Sequence, residues 1–314
     1  MDMQQSRLAR QNRHYAEHAG YRIDAHPHHA RLYHVTLKAE ALEAFFSRFA
    51  QFNSQHLEYV PYARFTLAQG LAELVGDGFL AALSAIVHDR DSGGFTVGVE
   101  GVTNDPQDYV KFGTAIGHLI GPGNFDAMSG TYYARFVVKD SDASDSYLRQ
   151  AYRLFTLHTD GTFVDEATDW LLMMKFEERS AAGGESRLLH LDDWEDLAAF
   201  AEHPLGAYAF TYTSLPSKNV AQEVLRPTFF KVGDKPCICF IDQFVCPETI
   251  AHADWLARLS ASLEASPATA AIPLPVGDLI VLNNSFWMHG RAPFERNPEL
   301  HRELMRQRGR FAQV

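Results

Sequence analysis

Two short runs, far apart in the chain, hold the residue types of a metal centre. One is Leu157-His158-Thr159-Asp160-Gly161-Thr162; the other is Trp287-Met288-His289-Gly290-Arg291, which follows an apolar, strand-like run. Two histidines and one carboxylate on one face of an iron leave coordination positions open for other ligands, the donor set of non-haem Fe(II) oxygen chemistry. His158, Asp160 and His289 are therefore candidate metal ligands and, through the metal, candidate catalytic residues.

The pattern His-x-Asp is weak by itself, and the chain holds three: His158-x-Asp160, His190-x-Asp192 and His252-x-Asp254. Geometry separates them. On a strand, residues two apart share a face and can reach one ion. On a helix they diverge by about 200°. His252 and Asp254 lie in a helical pattern with Trp255, Leu256, Leu259 and Leu263, so they cannot chelate. His190 ends the strand-like Leu188-Leu189, and Asp192 reads as the cap of a following helix. His158 follows Leu154-Phe155-Thr156-Leu157 and precedes a glycine that permits a turn. Alone, each histidine reads better as an interior side chain satisfied by the structure around it. Together they gain weight, because a late strand ending near His289 can fold back beside His158.

A third element lies downstream, in His301-Arg302-Glu303-Leu304-Met305-Arg306-Gln307-Arg308-Gly309-Arg310. If this is a strand, Arg302, Leu304, Arg306, Arg308 and Arg310 share one face. Guanidiniums crowded on one face repel unless anions neutralise them, and arginine suits bidentate carboxylate binding. The plain alternative is a solvated basic stripe, or pairing with Glu299 and Glu303.

These residues need elements to hold them. Helical periodicity runs through Leu42, Phe45, Phe46 and Phe49 and again from Leu71 to Val87, and Pro106 starts a helix reaching Ile120. From Thr131 the pattern changes to short strands: Tyr132–Val138, Trp170–Phe176, Tyr208–Tyr212, Cys237–Ile241 and Leu279–Leu282. Helices starting near Asp192 or Asp193 and covering about Glu248–Ala265 interrupt them. The pattern predicts a mainly β fold with flanking helices, an antiparallel double-sheet core of the jelly-roll or cupin type. Residues 1–30, rich in His and Arg, read as a loosely ordered arm rather than a metal tract. Residues 31–314 read as a single domain, its early helices packed on the core.

Composition narrows the classes. The chain has 314 residues, 46% hydrophobic and 21% charged, with a formal net charge of −11. So acidic a chain disfavours nucleic acid as a partner. No apolar run reaches the ~18 residues of a membrane span, and the polar start, Met1 to Arg7, lacks a signal core. Cys237, Cys239 and Cys246 are odd in number and form no C-x-x-C pair, which argues against a disulfide framework or a four-ligand zinc site. A cytoplasmic protein is expected.

The residues together resemble the taurine dioxygenase-like branch of Fe(II)/2-oxoglutarate oxygenases and, within it, the glutarate 2-hydroxylase (CsiD) family. The resembling runs are His118–Asn124, Phe125–Gly130, Tyr132–Lys139, Ser144–Gln150, Leu188–Glu195, Ser217–Val220, Ile241–Val245 and Arg302–Gly309. They cover about 115–312; residues 35–114 match only in general pattern, and the first 30 not at all. The resemblance implies hydroxylation of glutarate at C2 to L-2-hydroxyglutarate, with O2 and 2-oxoglutarate consumed and succinate and CO2 released, in lysine catabolism. It implies a cytoplasmic tetramer. It makes His158, Asp160 and His289 the iron ligands and Gly183-Gly184-Glu185-Ser186 a 2-oxoglutarate segment with Ser186 supplying a hydroxyl. Arg302 takes the position of the 2-oxoglutarate arginine and Arg306 that of the substrate arginine, with Arg308 a rival for either role. Thr159 stands where a close relative has Asn, Pro122 and Gly123 also depart, and Thr159 is expected to point away from the metal. Other readings stay open: another small carboxylate or sulfonate as substrate, a non-catalytic dicarboxylate-binding cupin, or a zinc hydrolase.

Overall fold

The computed structural model describes residues 13–140, 150–214 and 223–312. The run Ser144–Gln150, save its last residue, and the run Ser217–Val220 lie outside the described residues, as do the first twelve residues of the expected arm. Strands β1 (Ala16–Glu17), β2 (Tyr21–Ala25) and β3 (Tyr33–Leu37) lead into helices α1 (Ala39–Arg48), α2 (Ser54–Tyr59), α3 (Tyr62–Val75) and α4 (Phe79–His88). β4 (Gly94–Gly98), α5 (Pro106–Ile120), β5 (Ala134–Lys139), β6 (Phe155–His158), β7 (Trp170–Arg179) and β8 (Ser186–His190) follow. Next come α6 (Leu197–Ala201), β9 (Ala209–Thr213), β10 (Glu223–Pro227), β11 (Phe229–Val232), β12 (Lys235–Ile238) and β13 (Val245–Cys246). The chain ends with α7 (Ile250–Ala265), β14 (Ala270–Ile272), β15 (Asp278–Asn283), β16 (Trp287–Arg291) and β17 (His301–Gly309).

Two sheets build the core. An eight-stranded sheet runs β1-β2-β3-β4-β15-β7-β17-β5, and a four-stranded sheet runs β14-β8-β16-β6. Among the described strands, only β3 and β4 pair in parallel. One cavity is lined by Phe136, Met173 and Leu304 of the large sheet and by His158, Ser186 and His289 of the small one, so it lies between them. This is the expected mainly β jelly-roll core with flanking helices.

β17 shows how the sequence sorts its two faces. Met305 and Gln307 point to α5, where added side-chain carbons on Gly113 and Gly117 would meet them at 2.3 and 3.0 Å. The two glycines, one helical turn apart, let the helix approach. Arg302, Leu304, Arg306 and Arg308 face the cavity. The register of β17 against β7 skips Phe176, so the extra residue sits on β7 and the alternation of β17 is unbroken. Arg310, expected on this face, lies past the strand and is exposed.

Other differences have local causes. The helical run 71–87 is split into α3 and α4 by Gly76 and Gly78, at φ +113° and +82°. The helix expected near Asp192 is a 3₁₀ turn, Leu191–Asp193, and α6 starts only after Asp196. β12 stops at Ile238, and β5 starts at Ala134, after both tyrosines. Within the expected arm, β1 and β2 join the large sheet, because Tyr21 and Ile23 alternate into the helix-covered core. Among the described residues, no single helix is long and apolar enough to cross a membrane.

Candidate metal centre and substrate pocket

Strand register makes the centre. β6 and β16 are antiparallel neighbours, with His158 directly opposite His289. Cross-strand partners on one face lie side by side, and the two imidazole centroids are 4.1 Å apart. Just past β6 the chain is pinned at each residue. The Thr159 N–H donates to the Phe240 carbonyl at 2.9 Å, and Thr159 Oγ1 accepts from the Phe240 N–H at 3.0 Å, so this side chain serves the neighbouring loop. The Asp160 N–H donates to Asn284 Oδ1 at 2.9 Å, while Asn284 Nδ2 donates to the carbonyls of Asp160 and Thr168 at 3.0 and 2.8 Å. Gly161, at φ +78°, then turns the chain against Thr168.

The result brings one donor atom each from His158, Asp160 and His289 within 4.8 Å of one another, all three residues buried. His158 Nδ1 hydrogen-bonds the Thr156 carbonyl at 2.7 Å, which leaves its other ring nitrogen for a ligand. His289 Nδ1 and Asp160 Oδ2 are buried without a hydrogen-bond partner. Burial, with His158 adding to it, pushes the His289 imidazole down to about 3, and burial lowers His158 as well. Burial would raise the Asp160 carboxyl, but Arg306, His289, Arg308 and His158 hold it below the usual carboxylate range. Two neutral imidazoles and one ionised carboxylate, with His289 Nδ1 left without a partner, are the donor set a divalent iron takes.

The other two His-x-Asp pairs are spent elsewhere. His190 Nε2 lies 3.0 Å from the Arg90 carbonyl, its Nδ1 accepts the Asp192 N–H, and Asp192 is ion-paired to Arg90. Asp254 pairs with Arg258 one turn along α7. A further cluster, Glu177, His301 and Glu303, is an ion-pair network: His301 meets Glu177 at 3.2 Å and Glu303 meets Arg135 at 2.6 Å.

The cavity beside the triad, about 130 Å³, is walled by Phe136, Phe155, Phe163, Ile241 and Phe244 and carries the arginines of β17. Their partners differ. Arg306 bridges Asp126 at 2.7 Å and Asp160 at 3.1 Å, and these carboxylates outweigh burial to raise its guanidinium above the ordinary value. Arg302 donates to the Gly184 carbonyl and to Ser186 Oγ, the latter at 3.4 Å. Arg308 is 6% exposed, and its Nε is buried without a partner. Burial lowers both Arg302 and Arg308, Arg306 adding to the effect on Arg308.

The sequence reading did not single out Asn284, Asp126 or Arg291. Asn284 lies in the run after β15, and Asp126 in a resembling run. Arg291 had a signal in its i+2 spacing from His289.

A model of the family described as CsiD matches residues 21–311. A glutarate 2-hydroxylase of Citrobacter koseri is 45% identical over 297 residues, 94% of this chain and 91% of that protein. One of Klebsiella pneumoniae is 46% identical over 93% of this chain and 91% of that one. Among solved structures, asparagine oxygenase in complex with Fe(II), 2S,3S-3-hydroxyasparagine and succinate aligns with a TM-score of 0.68 at 17% identity, covering 88% of this chain and 93% of that one. The non-heme iron oxygenase OrfP in complex with Fe and alpha-ketoglutaric acid gives 0.66 at 16%, over 87% and 93%. The structural likeness carries the fold, and the sequence match carries the family: the chain belongs to the CsiD family.

Proposed function

We propose that the protein is an Fe(II)- and 2-oxoglutarate-dependent dioxygenase that hydroxylates glutarate at C2 to L-2-hydroxyglutarate, releasing succinate and CO2. The observation that carries this reading is the meeting, in one cavity, of the His158–Asp160–His289 donors with buried guanidiniums that have no ion pair among the described residues. Bound iron supplies activation of O2, coupled to oxidative decarboxylation of 2-oxoglutarate. The chain's own residues supply position and charge.

His158, Asp160 and His289 hold the metal; the Thr156 carbonyl orients the His158 ring, and Asn284 fixes the backbone of Asp160. Arg306 keeps Asp160 ionised and aimed, since its guanidinium is already spent on two carboxylates. Arg302 and Ser186 take the far carboxylate of 2-oxoglutarate. Arg308, rather than Arg306, takes the carboxylate of glutarate, because among the described residues it has no ion pair. Apolar walls cover the methylene groups and exclude water. Residues 31–314, with β1 and β2, act as one oxygenase domain. The family resemblance supports a cytoplasmic homotetramer in lysine degradation; the buried arginines support a small dicarboxylate as partner, and the acidic net charge disfavours nucleic acid.

Oxygen uptake tests the class. With Fe(II) and 2-oxoglutarate present, glutarate should accelerate uptake. Acceleration by another acid, with glutarate inert, would keep the chemistry and refute the substrate.

A further inference from the structure

Another buried arginine faces the same cavity. Arg291 lies two residues past His289 on β16, so its side chain shares the histidine's face. Register sets Arg291 beside Ser186 of β8, and Arg302 reaches the Ser186 hydroxyl from the opposite sheet. The two guanidiniums share one aromatic ring: their central carbons lie 5.4 and 5.7 Å from the Phe294 centroid. Phe294 in turn packs on the Gly183-Gly184 turn, where an added Gly184 side-chain carbon would lie 2.0 Å from the ring.

Arg291 is 8% exposed and Arg302 2%. Among the described residues neither has an ion pair. Arg291 donates to the Gln150 carbonyl at 2.7 Å, Arg302 to the Gly184 carbonyl and Ser186, and each Nε is buried without a partner. Two buried cations with only neutral acceptors are unfavourable until an anion joins them. Arg306, on the same strand as Arg302, shows the opposite solution, with two protein carboxylates.

We infer that Arg291 is a second binding residue for the distal carboxylate of 2-oxoglutarate, which it holds with Arg302 and Ser186. The inference rests on the reading that 2-oxoglutarate is the co-substrate. The test is calorimetric binding to Fe(II)-loaded protein under argon, so that nothing turns over. The probes are 2-oxoglutarate and 2-oxopentanoate, the same 2-oxo acid without the distal carboxylate. Arg291→Gln should weaken 2-oxoglutarate by about 10- to 100-fold and leave 2-oxopentanoate within about twofold. Arg291→Lys, which keeps the charge without the planar fork, should fall between. Equal weakening of both acids in both variants would mark a structural role and overturn the inference, as would no weakening of either. A wild-type protein that binds neither acid would overturn the co-substrate reading and the inference with it.

Discussion

Asp160 meets two demands at once: it must be ionised in a buried site, and one of its oxygens must stay free. Arg306 meets the first by an ion pair across both carboxylate oxygens, 3.2 Å from Oδ1 and 3.1 Å from Oδ2, and Oδ2, which takes no hydrogen bond, leaves the second possible. Asp160→Ala and His289→Ala should therefore abolish Fe(II) binding in an equilibrium titration while circular dichroism stays native. His252→Ala, on α7, should leave binding intact, and metal lost there would point to the wrong pair. Replacing Arg308 with Met should raise the glutarate KM by about one to two orders of magnitude and spare that of 2-oxoglutarate; Arg302→Met should do the reverse. The ligand triad was legible in the sequence because strand alternation and helical rotation separate the three His-x-Asp pairs. The division of labour among the arginines was not, because Asp126, which claims Arg306, is 180 residues away in the chain.

At the scale of elements, the centre depends on how β15 hands over to β16. Asn284, in that turn, satisfies an N–H and two carbonyls around Asp160 and Thr168. Asn284→Ala should cost about 1–3 kcal/mol in unfolding free energy, as buried backbone groups lose their partner. It should also weaken metal binding by about 10- to 100-fold, since such outer contacts orient the ligands. A native melting temperature with native metal affinity would contradict this role. Gly184 sits at φ +71° against the Phe294 ring. Gly184→Ala should lose about 1–2 kcal/mol of stability from the backbone alone, measured by urea unfolding. The strands that carry the ligands were readable from short apolar runs and turn residues. The paired glycines that split α3 from α4 were not, since periodicity continues across them. β2 also escaped notice, because its buried pattern rests on two residues, Tyr21 and Ile23.

For the whole molecule, several histidines are folded in as neutral groups. Burial lowers His26, His29 and His118 to about 4 and His289 to about 3. Unfolded histidine takes a proton near pH 6.5. Below that pH the unfolded chain binds protons the native state refuses, so stability falls as pH drops from about 6.5 toward 4. The melting temperature of metal-free protein should decline across that range, and a flat profile would contradict the neutral state of these rings. With these rings neutral, the cavity between the two sheets couples 2-oxoglutarate decarboxylation to glutarate hydroxylation. The most direct measurement is to load the protein anaerobically with Fe(II) and 2-oxoglutarate, admit air, and quantify succinate and 2-hydroxyglutarate with and without glutarate. Succinate should be matched one for one by 2-hydroxyglutarate when glutarate is present. No succinate from protein shown to hold iron would contradict that coupling.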